Sequence, residues 1–159
     1  MKKIIIVRHA KSSWKEQVDD HDRSLASRGL SDAELVSLKF NELQELPDLL
    51  LSSTAKRARM TADIFNKNLN LSPICLKEDL YDFSGEDLVR TIKSVNNSIN
   101  RLMVFGHNHA LTNFVNSFGD IYIDNVPTSG LVIIDFQIES WKYIKKGQTV
   151  KIIFPRDLR

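Results

Sequence analysis

Residues 3–8, Lys-Ile-Ile-Ile-Val-Arg, constrain the fold more than any other stretch of this chain. Four consecutive β-branched apolar residues without polar alternation fit a short strand covered on both faces, the kind found in a parallel sheet between layers of helix. The run is too short for other uses. A secretory core needs about 7–15 apolar residues and a membrane span about 18, whereas Ile4–Val7 stops at Arg8-His9. The lysines ahead of it are therefore not read as an address. A cytoplasmic protein with no membrane partner is expected.

The same theme recurs along the chain. Strands are expected over Lys3–Arg8, Asp48–Ser52, Pro73–Leu76 and Arg101–Phe105. Between them, helical spacing covers Gly29–Leu46 (Leu30, Ala33, Leu35, Leu38, Leu43), Thr54–Leu69 (Ala58, Ala62, Ile64, Phe65) and Gly85–Val95, and a further helix is expected over Leu111–Phe118. Ala10–Arg28 and Leu80–Ser84 read as loops. Gly130–Gln137 and Trp141–Lys145 look like antiparallel strands, with a last strand over Val150–Phe154. Alternating strands and helices predict an α/β class, a three-layer α/β/α domain with a mainly parallel sheet and an antiparallel edge. No linker-like segment interrupts the 159 residues, so one domain over 1–159 is expected.

Composition narrows the partners. The formal charge of +2 is too small for a nucleic-acid footprint. One cysteine, Cys75, permits no internal disulfide and no thiolate zinc knuckle, and fits a reducing compartment. A monomer is expected.

Ligand sites in such sheets lie beyond the carboxyl ends of the strands, so the residues following each strand carry the information. The first strand ends in Arg8-His9. The second ends in Ser52-Ser53, and its helix opens with Lys56-Arg57-Ala58-Arg59. The fourth ends in Gly106-His107-Asn108-His109, and Pro127-Thr128-Ser129 precedes the Gly130 strand. Cations and hydroxyls therefore gather at one sheet edge together with helix N-termini, which makes a pocket for phosphate or carboxylate. Cations beside His9 disfavour its charged form. A neutral imidazole has a lone pair that can attack phosphorus, with Arg8 and Arg57 neutralising the equatorial oxygens.

These motifs resemble the histidine phosphatase superfamily, and within it the small SixA-type phosphohistidine phosphatases, which have a phosphoglycerate mutase-like fold. Arg8-His9-Ala10-Lys11 matches the Arg-His opening, Asp22-Arg23-Ser24-Leu25 with Gly29 matches an Asp-Arg-Pro-Leu…Gly segment, Ser52-Ser53…Arg57-Ala58…Thr61-Ala62 matches the second motif, and Gly106-His107-Asn108 matches the distal histidine. The resemblance implies a metal-independent phosphatase with no cofactor. His9 would be the phosphoryl acceptor, and Arg8, Arg57 and His107 would hold the phosphate. Ser12 would be a hydroxyl within reach of it.

Other positions stay open at this point. Arg23 lines the pocket or pairs with Asp19 or Asp20 on the surface. Thr128 and Ser129 donate to phosphate or only shape a turn. His107 and His109 could hold a metal, but no acidic cluster or thiolate pair supports that. Ser24 stands where the family has proline. The mutase-type glutamate has no plain equivalent, although Asp82 and Glu86 lie in its region as candidate acids. Three readings follow: a phosphatase acting on a phosphorylated protein such as phosphohistidine, a phosphomonoesterase acting on a small phospho-metabolite, and a phosphate-binding module without turnover.

Overall fold

The computed structural model describes residues 1–71 and 73–159. Among the described residues, the strands are β1 (Lys2–Arg8), β2 (Leu49–Ser53), β3 (Cys75–Lys77), β4 (Arg101–Gly106), β5 (Leu131–Phe136) and β6 (Gln148–Ile153). The helices are α1 (Ser27–Asn41), α2 (Lys56–Leu69), α3 (Glu86–Lys93) and α4 (Ala110–Phe118). The strand order is β3-β2-β4-β1-β5-β6. Strands β1 to β4 run parallel to one another, whereas β5 is antiparallel to both β1 and β6.

The β-branched run behaves as its composition requires. Successive side chains of a strand point to opposite faces. Ile4 and Ile6 enter one core with Leu88, Ile92, Leu111 and Phe114 of α3 and α4, while Ile5 and Val7 enter another with Val36, Phe40, Ala62 and Phe65 of α1 and α2. Both faces are covered, which gives the α/β/α layering.

Some expected elements are corrected. Trp141–Lys145 is not a strand: Trp141–Tyr143 forms a 3-10 turn, with Trp141 and Ile144 buried three residues apart and Lys142 and Tyr143 exposed. The Trp141 indole N–H donates to the Ile99 carbonyl at 2.8 Å. Helix α1 starts at Ser27 and ends at Asn41, before Gln44 takes a left-handed φ of 55°. Its buried stripe is Ala33, Val36, Ser37 and Phe40, at the i, i+3, i+4, i+7 spacing of one face. Leu35 and Leu38 fall on the far side and Leu30 at its margin, and all three are exposed. The third strand is only Cys75–Lys77, at the sheet edge.

Register then places the functional rim. Arg8 lies beside Gly106, and Ser52 beside Phe105. The residues just after β1, β2 and β4 therefore emerge side by side, and the antiparallel β5 starts at the same end, Leu131 opposite Val7. The 10–26 segment folds back over this rim: Ser12 bridges Leu25, the Ser13 N–H donates to the Ser24 carbonyl at 2.8 Å, and Asp20–Asp22 forms a 3-10 turn between them. Ser24, where the family pattern has proline, also donates its hydroxyl to Glu16 at 2.5 Å.

Candidate active site

His9 leaves β1 with its N–H on the Gly106 carbonyl at 3.1 Å and its ring Nδ1 2.7 Å from the Ala10 carbonyl. A carbonyl only accepts, so Nδ1 carries the proton and Nε2 keeps the lone pair. The ring is 7 % exposed. Burial, more than any other cause, lowers its pKa to about 3. The Ala10 carbonyl opposes that shift, and the charges of Arg57, Arg8 and Arg23 add to it. The neighbouring cations invoked from the sequence thus act in the expected direction but rank behind desolvation.

His107 follows β4 and is 1 % exposed, its ring centroid 5.2 Å from that of His9. Burial again leads in lowering its pKa, to about 2, followed by His9 and Arg57. Tyr81 and Phe83 pack against the ring at centroid distances of 5.3 and 5.1 Å. Its Nε2 lies 2.8 Å from the Ser53 hydroxyl.

Three arginines complete the ring of charge. Arg57, in the first turn of α2, is 2 % exposed. It donates from Nη1 to the Asp20 carbonyl at 2.6 Å and from Nη2 to Asp20 Oδ2 at 3.0 Å. Arg23 donates from Nε to Asp20 Oδ1 at 3.3 Å and stacks 3.5 Å above the Trp14 ring. It pairs with Asp20, as one of the two readings expected, but is itself buried, and its charge also acts on His9. Arg8 donates from Nη1 to the Val126 carbonyl at 2.9 Å. Ser129 takes a left-handed φ of 61° and donates its N–H to the Arg8 and His9 carbonyls, each at 3.2 Å. Thr128 precedes it, half-buried, and Ser12 is half-buried beside its Leu25 bridge.

One feature of this cluster stands out chemically. Among the described residues, the buried side-chain polar atoms without a partner are Arg8 Nε, Arg23 Nη1, Arg57 Nε, His107 Nδ1 and Ser129 Oγ. Buried polar groups are normally paired, because an unmet donor costs about 1–3 kcal/mol. Here all five belong to this one cluster, and three are guanidinium N–H groups that can only donate. The arrangement suits an anion with several oxygens.

Among the described residues, the candidate acids make no hydrogen bond to these groups. Burial would raise the Asp82 pKa, but N–H bonds from Leu88, Ser84 and Gly85 outweigh that and lower it. These three N–H groups donate to its carboxylate at 3.0 Å each, and the Ser84 hydroxyl at 3.2 Å, so Asp82 ties its own loop to the start of α3. Glu86 is exposed and lines an open groove of about 500 Å³ with Val89, Arg90, Asn113 and Phe114. His109 and Arg59 are exposed, and the described residues hold no group of three or more His, Cys, Asp and Glu side chains suited to a metal.

Sequence reasoning missed the hub of the site. Asp20 accepts from Arg57, Arg23 and, at 2.5 Å, from the Tyr81 hydroxyl. Burial would raise its pKa, but the Tyr81 and Arg57 bonds prevail and hold it at about 2. Only its spacing of three from Arg23 hinted at this. Nothing in sequence spacing joins Tyr81 or Ser53 to His107.

The profile of the histidine phosphatase superfamily (branch 1) matches residues 4–97, more than half of the chain. The chain belongs to the histidine phosphatase superfamily. The matched segment contains His9, Arg23 and Arg57 and ends before His107, whose place beside His9 comes from the fold. A Mycobacterium tuberculosis relative, the uncharacterized protein Rv1276c, is 34% identical over 101 residues, 64% of this chain and 62% of that protein, so the chain aligns with about three fifths of its length. The uncharacterized protein ML1117 of Mycobacterium leprae is 25% identical over 93% of this chain and 98% of its own. Among solved structures, the protein histidine phosphatase SixA complexed with tungstate superposes with a TM-score of 0.84 at 18% identity, covering 99% of both chains. The putative SixA of Agrobacterium tumefaciens gives 0.79 at 23% identity, covering 96% of this chain and 97% of that one. The fold is therefore the phosphoglycerate mutase-like fold of this superfamily.

Proposed function

We propose that this chain is a phosphatase that passes a phosphoryl group through a phosphohistidine on His9 to water. The observation that carries the reading is the set of five unpartnered buried polar atoms gathered around a neutral imidazole whose Nε2 is free. In the first step Nε2 attacks phosphorus, and the bond to the leaving atom breaks with its electron pair going to that atom. In the second step water attacks the phosphohistidine, orthophosphate leaves, and the lone pair returns to Nε2. Arg8, Arg23, Arg57, His107 and Ser129 donate to the phosphoryl oxygens, where preorganised donors stabilise the transition state most.

We read the substrate as phosphohistidine on a protein. Asp20 is held ionised at a pKa of about 2, and Asp82 is committed to the start of α3, so neither carboxyl group is poised to protonate a leaving group. Alkyl phosphates need that proton, whereas the leaving nitrogen of a phosphohistidine can bring its own. The surroundings of the site are also ring-rich: Phe83, which packs on His107, is 47 % exposed, and Trp14, stacked on Arg23, is 78 % exposed. A half-open aromatic border suits a planar ring carried on a protein surface.

The test is turnover of a phosphohistidine peptide against sugar phosphates and an aryl phosphate, with the phosphoenzyme trapped and mapped. An acid-labile, base-stable adduct on His9, lost in His9→Ala, supports the mechanism; full activity in that variant discards it. Faster turnover of a sugar phosphate than of the peptide favours the small-metabolite phosphomonoesterase. Binding of orthophosphate without release of phenol from an aryl phosphate favours a non-catalytic module.

A further inference from the structure

Ser53, the last residue of β2, is fully buried. Its hydroxyl oxygen accepts the Ala55 N–H at 3.1 Å and lies 2.8 Å from His107 Nε2. A hydroxyl has one proton and two lone pairs. The amide can only donate, so it takes a lone pair and leaves the hydroxyl proton to be placed elsewhere. His107 Nε2 is the acceptor within reach. If Nε2 carried the imidazole proton instead, two protons would meet in one contact or the Ser53 proton would go unbonded in a dry site, at the cost of a hydrogen bond.

With Nε2 accepting from Ser53, the single proton of the neutral imidazole sits on Nδ1. That atom is buried and has no partner. The ring is braced on its other sides by His9, Tyr81 and Phe83, so it cannot readily turn to exchange the two nitrogens. We propose that Ser53 is a positioning residue that fixes His107 as its Nδ1–H tautomer and so presents a permanent donor to the phosphoryl oxygens. The two adjacent histidines are thereby assigned opposite tasks. In His9 the Ala10 carbonyl holds the proton on Nδ1, which frees Nε2 to attack. In His107 the Ser53 hydroxyl occupies Nε2, which leaves Nδ1–H to hold the oxygens. No proton has to move onto either ring before phosphate arrives.

The tautomer does not depend on the phosphatase reading; its role toward phosphoryl oxygens does. The experiment is two-bond proton–nitrogen correlation NMR on the whole protein labelled with ¹⁵N-histidine, with the His107 signals identified by their absence in His107→Gln. At neutral pH the wild type should show a protonated Nδ1 and an unprotonated Nε2. Ser53→Thr, which keeps the hydroxyl, should retain that pattern. Ser53→Ala should mix or reverse it, lower kcat on an aryl phosphate about 10- to 100-fold, short of the loss of a whole oxyanion donor, and change KM little. A wild-type His107 protonated on Nε2 overturns the proposal, and that spectrum decides even if Ser53→Ala does not fold. A Ser53→Ala spectrum and kcat equal to the wild type also overturn it. If the wild type turns over no phosphate ester or phosphohistidine, the phosphatase reading fails, while the spectrum still decides the tautomer.

Discussion

Acid should weaken this fold by titrating the same two imidazoles that are proposed to perform its chemistry. His9 and His107 are neutral in the folded protein, with pKa values of about 3 and about 2. In the unfolded chain each returns to about 6.5. As pH falls below 6.5 the unfolded state gains a proton on each ring and the folded state does not. Stability is therefore fully present above about pH 6.5 and is lost progressively toward the folded values. Integrating the difference for one such ring between pH 7 and pH 5 gives about 2 kcal/mol, hence about 4 kcal/mol for both. That is a large share of the roughly 5–15 kcal/mol typical of a domain, and at this size it corresponds to a fall in Tm of about 8–16 °C. Urea unfolding at the two pH values, in phosphate-free buffer so that no anion binds the folded state, measures it. The double variant His9→Asn/His107→Gln should lose most of this pH dependence over the window. A wild-type loss below about 1 kcal/mol, or an equal loss in the double variant, would refute the linkage.

Three further outcomes are expected. Asp82→Asn should lower stability by about 1–3 kcal/mol, since a charged acceptor of three backbone N–H groups is weakened, and should leave kcat/KM on an aryl phosphate within about threefold; a hundredfold kinetic loss at unchanged Tm would return Asp82 to the role of acid. Arg57→Ala should reduce kcat/KM by about 10²- to 10³-fold and weaken inhibition by orthophosphate in parallel, which steady-state kinetics with product inhibition would show. Gly29→Ala should destabilise the protein by about 1–3 kcal/mol, because the added Cβ would lie 2.2 Å from the Lys11 carbonyl oxygen; an unchanged thermal melt would mean that the 10–26 loop yields freely.

How far the sequence carries depends on the range of the forces involved. The buried β-branched strands were legible because strand burial follows from a run of neighbours, and Arg8, His9, Arg57 and His107 were legible because each adjoins such a strand or opens the helix after it. Helix α1 was legible as an element but only partly in its facing: the leucine count pointed to Leu35 and Leu38, which are exposed, while the sheet accepts Val36 and Phe40, and Ala33 packs with Ala10 and Leu25. The Trp141 segment failed for a similar reason, since the indole is held by Ile99, 42 residues away in sequence.

Sequence by itself determined which chemical groups reach the carboxyl rim of the sheet, since the order of strand, junction and helix is written locally in the chain. Tertiary structure decided what those groups are able to do. Asp20 meets Arg57 across 37 residues and Tyr81 across 61, and Ser53 meets His107 across 54. The place of each imidazole proton, the ionised state of Asp20 and the commitment of Asp82 to α3 all depend on burial and on hydrogen bonds whose geometry exists only once the chain has closed on itself.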